Sequence, residues 1–367
     1  MKSINPIKDS RRSFIKQSSL LTGALLVGNS LSAMPFALRV DKPSLIMDAM
    51  GEIRTIYTLD LIKKILASGT NSVTITLTDP KIYGEEGFHT LLEDLANYDR
   101  YFDDNPSLFV KCKSMSDFER AKKEGKLAIF YLIQNSAPIE KELDRLDFFY
   151  NLGLRSVQLT YNYRNYVGDG CYERTDAGLS TYGLEMIAKM NEMGMLIDLS
   201  HAGMLTMKET IEHSEKPVII SHTCCKTLFD HDRNTTDENL KLLADNGGVV
   251  GLTQIRIFMT HEKTNNTEVY FDHIDHAVKV AGIDAVCIGS DRDHRVIPDT
   301  EEEILILLKE EGAQFKPDHW PLYLEKLNGP SRMNVVYDGL VKRGYTQDQI
   351  DKIMGKNLHR IYTDVIG

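Results

Sequence analysis

Eight short apolar runs, separated by longer amphipathic stretches, limit what this chain can fold into. They are Leu45–Met50, Ser72–Thr78, Leu127–Gln134, Ser156–Tyr161, Met195–His201, Pro217–Thr223, Gly248–Gln254 and Ala285–Asp291. Most are near-continuous rather than alternating, as expected for parallel strands covered on both faces. Helical periodicity fills the spaces between them, for example at Thr58–Ala67, Ile139–Leu152, Tyr182–Met193, Thr236–Asn246 and Asp272–Ala281. Several of these begin behind Ser, Thr or Asp, the residues that cap a helix N-terminus. Eight strands alternating with helices predict an α/β fold of the (β/α)8 TIM-barrel type. The competing doubly wound sheet lacks a glycine-rich turn after the first run. Two connections are long. Asp79 to Gly125 is expected to hold an extra helix over His89–Arg100, and Pro298 to Gly329 reads as a polar excursion able to cover a site. Tyr345 to Tyr362 reads as a closing pair of amphipathic helices.

The first 37 residues read as a separate segment. Ser10-Arg11-Arg12-Ser13-Phe14-Ile15-Lys16 has the form of a twin-arginine export (Tat) motif, followed by a short run rich in small and apolar residues from Ser19 to Val27. That run is too short and too rich in Gly and Ser for a membrane anchor. Cleavage is expected near residue 34 or 38, leaving residues 38–367 as one extracytoplasmic domain. The formal charge of the whole chain is −10, and the segment removed is basic. An acidic mature protein is a poor partner for nucleic acid or anionic lipid. The five cysteines lack the spacing of a disulfide framework or a CxxC site, and Cys224 and Cys225 read as small apolar filler.

The chemistry is concentrated where the runs end. In a barrel of this kind the C-terminal strand ends form the active-site face. Here they carry Met50 and Glu52, Gln134, Tyr161, His201, His222, Gln254 and Asp291. Two imidazoles on neighbouring strands supply half of a zinc site. Asp291 is suited to proton transfer. Ser200 and Ser221 each precede a histidine, but successive strand residues face opposite ways, which argues against a serine nucleophile. Arg233-Asn234 could clamp a carboxylate.

The stretches "GLSTYGLEMIAKMNEMGMLIDLSHAG", "PVIISHTCCKTLFDHDRNTTDENL", "VCIGSDRD" and the closing "GKNLHRIY" resemble the membrane dipeptidase (renal dipeptidase) family of zinc peptidases, in the amidohydrolase superfamily. The resemblance runs from about Leu45 to the C-terminal region. It implies a barrel with two bridged zinc ions, a small peptide substrate and, by family analogy, a homodimer. Four positions match the family pattern: His201 and His222 as metal ligands, Arg233 as the substrate-carboxylate anchor, and Asp291 as the proton-transfer residue.

Four positions depart. Met50-x-Glu52 stands where the family has His-x-Asp, Gln134 where it has a bridging glutamate, and Tyr161 where a histidine polarises the scissile carbonyl. Past Asp291, Arg292 and His294 stand where a Phe and a Gly are usual. A thioether and a neutral amide cannot hold and bridge two divalent cations. The resemblance therefore implies one zinc ion at His201 and His222, supported by Glu52 or Gln134. Tyr161 would be the hydrogen-bond donor to the developing oxyanion, and Arg233 with Asn234 would bind substrate. Two other readings stay open. One is a non-hydrolytic relative that binds or matures a peptide-like ligand. The other is isomerase or lyase chemistry with Glu52 as base.

Overall fold

The computed structural model describes residues 42–311, 316 and 319–367. The export segment and its cleavage site lie outside the described residues.

Nine parallel strands form one sheet. They are β1 (Met47–Gly51), β2 (Ser72–Leu77), β3 (Phe109–Lys111), β4 (Leu127–Ile133), β5 (Leu154–Gln158), β6 (Leu196–Asp198), β7 (Ile219–Thr223), β8 (Val249–Leu252) and β9 (Val286–Ile288). The order is β1-β2-β4-β5-β6-β7-β8-β9, with β3 paired to β4 outside this path. The eight expected strands are thus the eight of the path. The ring closes beyond the end of β9, where the Asp291 amide donates to the Met50 carbonyl at 2.8 Å and the Glu52 amide to the Arg292 carbonyl at 3.2 Å. The fold is the expected (β/α)8 barrel.

The ninth strand was not anticipated. β3 lies along the first part of β4, from Leu127 to Ile129, and β5 pairs with it from Tyr131 onward. Three residues are too short a run for periodicity to reveal. The extra helix of the same insertion is present and longer than expected, at Gly84–Asp103 (α2, after α1 at Leu59–Ala67). α3 follows at Met115–Glu124, α4 at Asp144–Leu152, α5 at Thr181–Met193, α6 at Met204–His213, α7 at Asp237–Asp245, α8 at Glu268–Ala281 and α9 at Glu301–Glu311. The anticipated capping chemistry operates: the Thr58, Ser180 and Thr236 hydroxyls each accept a backbone N–H from the first turn of α1, α5 and α7.

The chain ends with α10 (Arg332–Lys342), α11 (Gln347–Asp351) and α12 (Asn357–Val365). The expected closing helix pair is in fact joined without a break, through a π-helical turn at Lys352–Lys356. Leu358, Ile361, Tyr362 and Val365 of α12 pack against Met47, Ala49, Phe130, Leu196, Ile219 and Val249 from the barrel. Each such burial contributes roughly 1.5–3 kcal/mol. Asn357 donates to the Ile283 and Val286 carbonyls at the start of β9, so this plug sits at the N-terminal ends of the strands. The opposite end is left for chemistry.

Two β-bulges shape that end. β7 pairs with β8 at Ile220↔Val250 and next at Thr223↔Leu252, so one extra residue is taken up at Ser221-His222. β1 does the same against β2 between Asp48 and Gly51, at Ala49-Met50. Bulges re-aim side chains. The β7 bulge needs glycine opposite it: a Cβ on Gly251 or Gly289 would lie 2.0 Å or 1.7 Å from the Ser221 carbonyl oxygen.

Candidate active site

His222 lies within β7, and His201 three residues past the end of β6, at φ +66. Their Nε2 atoms approach to 3.0 Å. The other nitrogen of each ring is held. His201 Nδ1 is 2.6 Å from Asn162 Oδ1, an acceptor, so Nδ1 carries the proton. His222 Nδ1 is 2.8 Å from the Ser221 hydroxyl, which itself donates to Asp198 Oδ2 at 2.5 Å. His222 Nδ1 must therefore also be the protonated nitrogen. Asp198 is fully buried and also accepts the Ser200 and Ser221 amides. Burial raises its pKa, and these hydrogen bonds pull it back.

The hydrogen-bond network thus aims two Nε2 lone pairs at each other. Burial and the nearby Arg233 guanidinium hold both imidazoles well below their usual pKa, so both are neutral at neutral pH. Two neutral acceptors 3.0 Å apart repel each other unless a cation lies between them. Two imidazoles on one tetrahedral zinc would be separated by about 3.3 Å, given Zn–N of about 2.0–2.1 Å.

Four non-glycine residues with positive φ follow barrel strands: Thr78 after β2, Asn162 after β5, His201 after β6 and Asp291 after β9. Each such position costs on the order of 1–3 kcal/mol and persists where the surroundings over-determine it. Here they turn the ends of four strands into the site.

The cavity against the histidines has a volume of about 150 Å³ and is lined by Met50, Glu52, Gln134, Tyr161, His201 and Asp291, among others. An adjoining cleft of about 530 Å³ shares Glu52, Gln134 and Tyr161. Six of the eight site residues expected from sequence thus meet at one place: Glu52, Gln134, Tyr161, His201 and Asp291 on the cavity wall, with His222 behind His201. The Tyr161 ring stacks on His201 with centroids 4.3 Å apart. Leu322, from the excursion after β9, also lines the cavity, as expected of a covering segment.

Glu52 is paired. Its carboxylate accepts from Arg54 Nε, and the Asp293 carboxylate lies 3.8 Å from the same nitrogen. Met50 is 1% exposed. Among the described residues, no group of three or more His, Cys, Asp or Glu side chains could hold a metal ion. The residues present therefore do not fit a dinuclear centre. The two histidine Nε2 atoms could supply two ligands to a single ion.

Arg233 and Asn234 stand behind this wall. Arg233 is 1% exposed and donates from Nη2 to the His222 carbonyl at 3.3 Å. Its Nε and Nη1 are buried without a partner. Asn234 is fully buried and does not line the cavity. Its amide donates to the Phe229 and Phe258 carbonyls, both at 2.8 Å, and so ties together the loops around Arg233. The cysteines are all free, and Cys224 and Cys225 are buried away from the histidine pair. Cys225 bonds instead to His273.

Sequence reasoning missed the orienting residues Asn162, Ser221 and Asp198, and the pairing of Arg54 with Glu52. A signal was present for two of them. "DLSH" and "ISHT" place a hydroxyl before each histidine, and an acid precedes the first. Ser200 and Ser221 prove to be orienters, linked at 3.1 Å, with Ser200 Oγ accepting the His222 amide.

No helix among the described residues is long and apolar enough to cross a membrane. The sequence profile of the membrane dipeptidase family (peptidase family M19) matches residues 48–302. An uncharacterized dipeptidase of Schizosaccharomyces pombe is 31% identical over 264 residues, covering 70% of this chain. The chain spans only 58% of that relative's length. Among solved structures, an amidohydrolase from Pseudomonas aeruginosa superposes with a TM-score of 0.79 at 29% identity, covering 88% of this chain and 97% of that one. A metallopeptidase from Rhodobacter sphaeroides, liganded with a phosphinate mimic of L-Ala-D-Ala, has a TM-score of 0.72 at 16% identity. It covers 88% of this chain and all of its own, and it supports the fold alone. With its profile match across β1 to β9 and its barrel architecture, the chain belongs to the membrane dipeptidase family.

Proposed function

We propose that the chain is a divergent hydrolase of this family, acting on the amide of a dipeptide or similar small peptide-like substrate in the His201–His222 cleft with at most one metal ion. The carrying observation is the pair of neutral imidazoles, with Nδ1 protons fixed by Asn162 and Ser221 and Nε2 atoms 3.0 Å apart. A single zinc ion would be held by His201 and His222, with Gln134 and Glu52 on the same cavity wall, and when bound would acidify a water. The chain's own residues carry the other tasks. Tyr161, fixed by stacking on His201, donates to the carbonyl oxygen as charge develops. Arg233, with Nε and Nη1 free of partners, is the cation assigned to the substrate carboxylate, and Asn234 positions the loops around it. Asp291 holds the proton for the leaving nitrogen.

One observation favours the second reading, a non-hydrolytic relative that binds a peptide-like ligand. Glu52 is engaged by Arg54 rather than open to a cation, and no third metal-ligating acid, Cys or His joins the pair among the described residues. Elemental analysis of purified protein, combined with turnover of a dipeptide panel, separates the two. The hydrolase reading expects about one equivalent of metal per chain and turnover abolished by His201→Ala. About two equivalents, or no turnover with metal loaded, would sink it. Export through the Arg11-Arg12 motif belongs to the same proposal. Replacing both arginines with lysine should retain the protein in the cytoplasm, and unchanged export would count against it.

A further inference from the structure

Arg292, which follows Asp291 at the closing seam of the barrel, has no role in the reading above. Its side chain is 5% exposed, and its guanidinium lies 5.1 Å from the centroid of the Tyr323 ring. Burial and the neighbouring Arg332 push its pKa down to about 10, so it remains a cation at neutral pH. Its Nε and Nη2 are buried with no hydrogen-bond partner. These two donors form the side-on edge of a guanidinium, the fork that engages both oxygens of a carboxylate.

Arg292 lines a small cavity of about 70 Å³, together with Arg54, Arg295 and the carboxylates of Glu52, Asp291, Asp293 and Glu303. A space of this size holds a few waters, so it suits a carboxylate rather than a larger group. Glu52, Ile255, Asp291 and Leu322 line both this cavity and the one against His201. A ligand in the main cleft therefore reaches Arg292 by extending past Asp291. Three of the acids lining this cavity are held by other arginines. Arg54 holds Glu52, and Arg295 holds Asp293 at 2.8 Å and Glu303 at 3.2 Å.

We propose that Arg292 anchors a second anion subsite, which receives a carboxylate on the body of the substrate, distinct from the terminal carboxylate assigned to Arg233. The preferred substrates are then acidic: dipeptides or peptide-like amides carrying a Glu- or Asp-type side chain. This specificity rests on the peptide-like reading of the cleft, but the subsite itself does not.

The chain has one tryptophan, Trp320, whose ring centroid lies 5.6 Å from that of Tyr323. Its fluorescence therefore reports on the subsite. The experiment titrates the full chain with Ala-Glu, Glu-Ala, their isosteric controls Ala-Gln and Gln-Ala, and glutarate, by fluorescence and calorimetry. At least one acidic dipeptide should bind at least tenfold more tightly than its glutamine counterpart. Arg292→Gln should abolish that preference and leave the neutral dipeptides unchanged. Arg292→Lys, which keeps the charge but loses the fork, should retain only part of it, and circular dichroism verifies that both variants fold. Where dipeptides bind, a preference that is absent, or that survives Arg292→Gln, overturns the proposal. If no dipeptide binds but glutarate perturbs Trp320 in an Arg292-dependent way, the peptide reading fails and the subsite stands. If glutarate and the acidic dipeptides all leave the protein unperturbed, the subsite is refuted.

Discussion

Replacing Ser221 with alanine tests the orientation of the histidine pair directly. Ser221 is 2% exposed, and its hydroxyl accepts from His222 Nδ1 at 2.8 Å and donates to Asp198 at 2.5 Å. Ser221→Ala removes both bonds and the 3.1 Å link to the Ser200 hydroxyl. Leaving the buried Nδ1–H without an acceptor costs about 1–3 kcal/mol. The ring has a cheaper response. Moving its proton to Nε2 lets it donate to His201 Nε2, already 3.0 Å away. The variant should therefore switch His222 to the Nε2–H tautomer, which long-range nitrogen-15 NMR of the histidine side chains reads directly. The lost donor to Asp198 is not replaced, and hydrogen bonds to charged groups contribute about 1.5–3 kcal/mol. Chemical denaturation should show a loss of about 2–3 kcal/mol. Zinc affinity should fall roughly 10–100-fold, the usual effect of losing an outer-shell partner. A wild-type His222 already protonated on Nε2, or a variant that keeps Nδ1–H at unchanged stability, would refute the reasoning.

Three further outcomes are expected. Gly251→Ala places a Cβ 2.0 Å from the Ser221 carbonyl; since backbone must move, denaturation should show a loss of about 1–3 kcal/mol together with altered His222 NMR shifts. Tyr161→Phe keeps the stack on His201, so stability should hold within about 0.5 kcal/mol while kcat on any accepted dipeptide falls about 10²–10³-fold. His273, 2% exposed and accepting the Cys225 amide, is held by burial at a pKa of about 4. As pH falls below 6.5 the unfolded state takes up this proton first, so the stability that neutral His273 contributes is complete above pH 6.5 and is lost toward pH 4. The stability difference between wild type and His273→Gln should therefore shrink by up to about 3 kcal/mol over that window, and a pH-independent difference would contradict the assignment.

The barrel was legible because most of its eight strands are buried apolar runs, and burial on both faces leaves a compositional trace. β3 was not, since three residues with a partly exposed Lys111 leave none. The site was legible where side-chain chemistry is unusual at a strand end. His201, His222, Tyr161 and Asp291 were all singled out that way, and the fold brings them together. What stayed hidden was geometry. Nothing in the letters reveals that Asn162, His201 and Asp291 take positive φ, or that β7 bulges at Ser221. Asn234 illustrates the reverse. Adjacency to Arg233 suggested a substrate contact, but its amide is committed to two backbone carbonyls.

The two halves of the site have diverged in opposite senses. On the β1 side, Met50 is buried and neutral, and Glu52 is balanced by Arg54, a cation supplied by the chain itself. That half is electrostatically closed without a divalent ion. On the β6–β7 side, nothing has been relieved. Asp198 is buried to orient a serine that orients His222, His201 sits in a left-handed conformation, and two imidazole lone pairs face each other. A barrel with no use for the pair would gain stability from apolar side chains at both positions, because each of these features is a cost when taken alone. Local rules broken together, with every orienting hydrogen bond intact, mark a site kept for binding or chemistry rather than a relic. The asymmetry also places Arg292 in context. The side where Glu52 is neutralised by Arg54 is also the side where Arg292 leaves Nε and Nη2 without a hydrogen-bond partner, so the proposed anion subsite and the proposed metal position fall on opposite sides of the cavity.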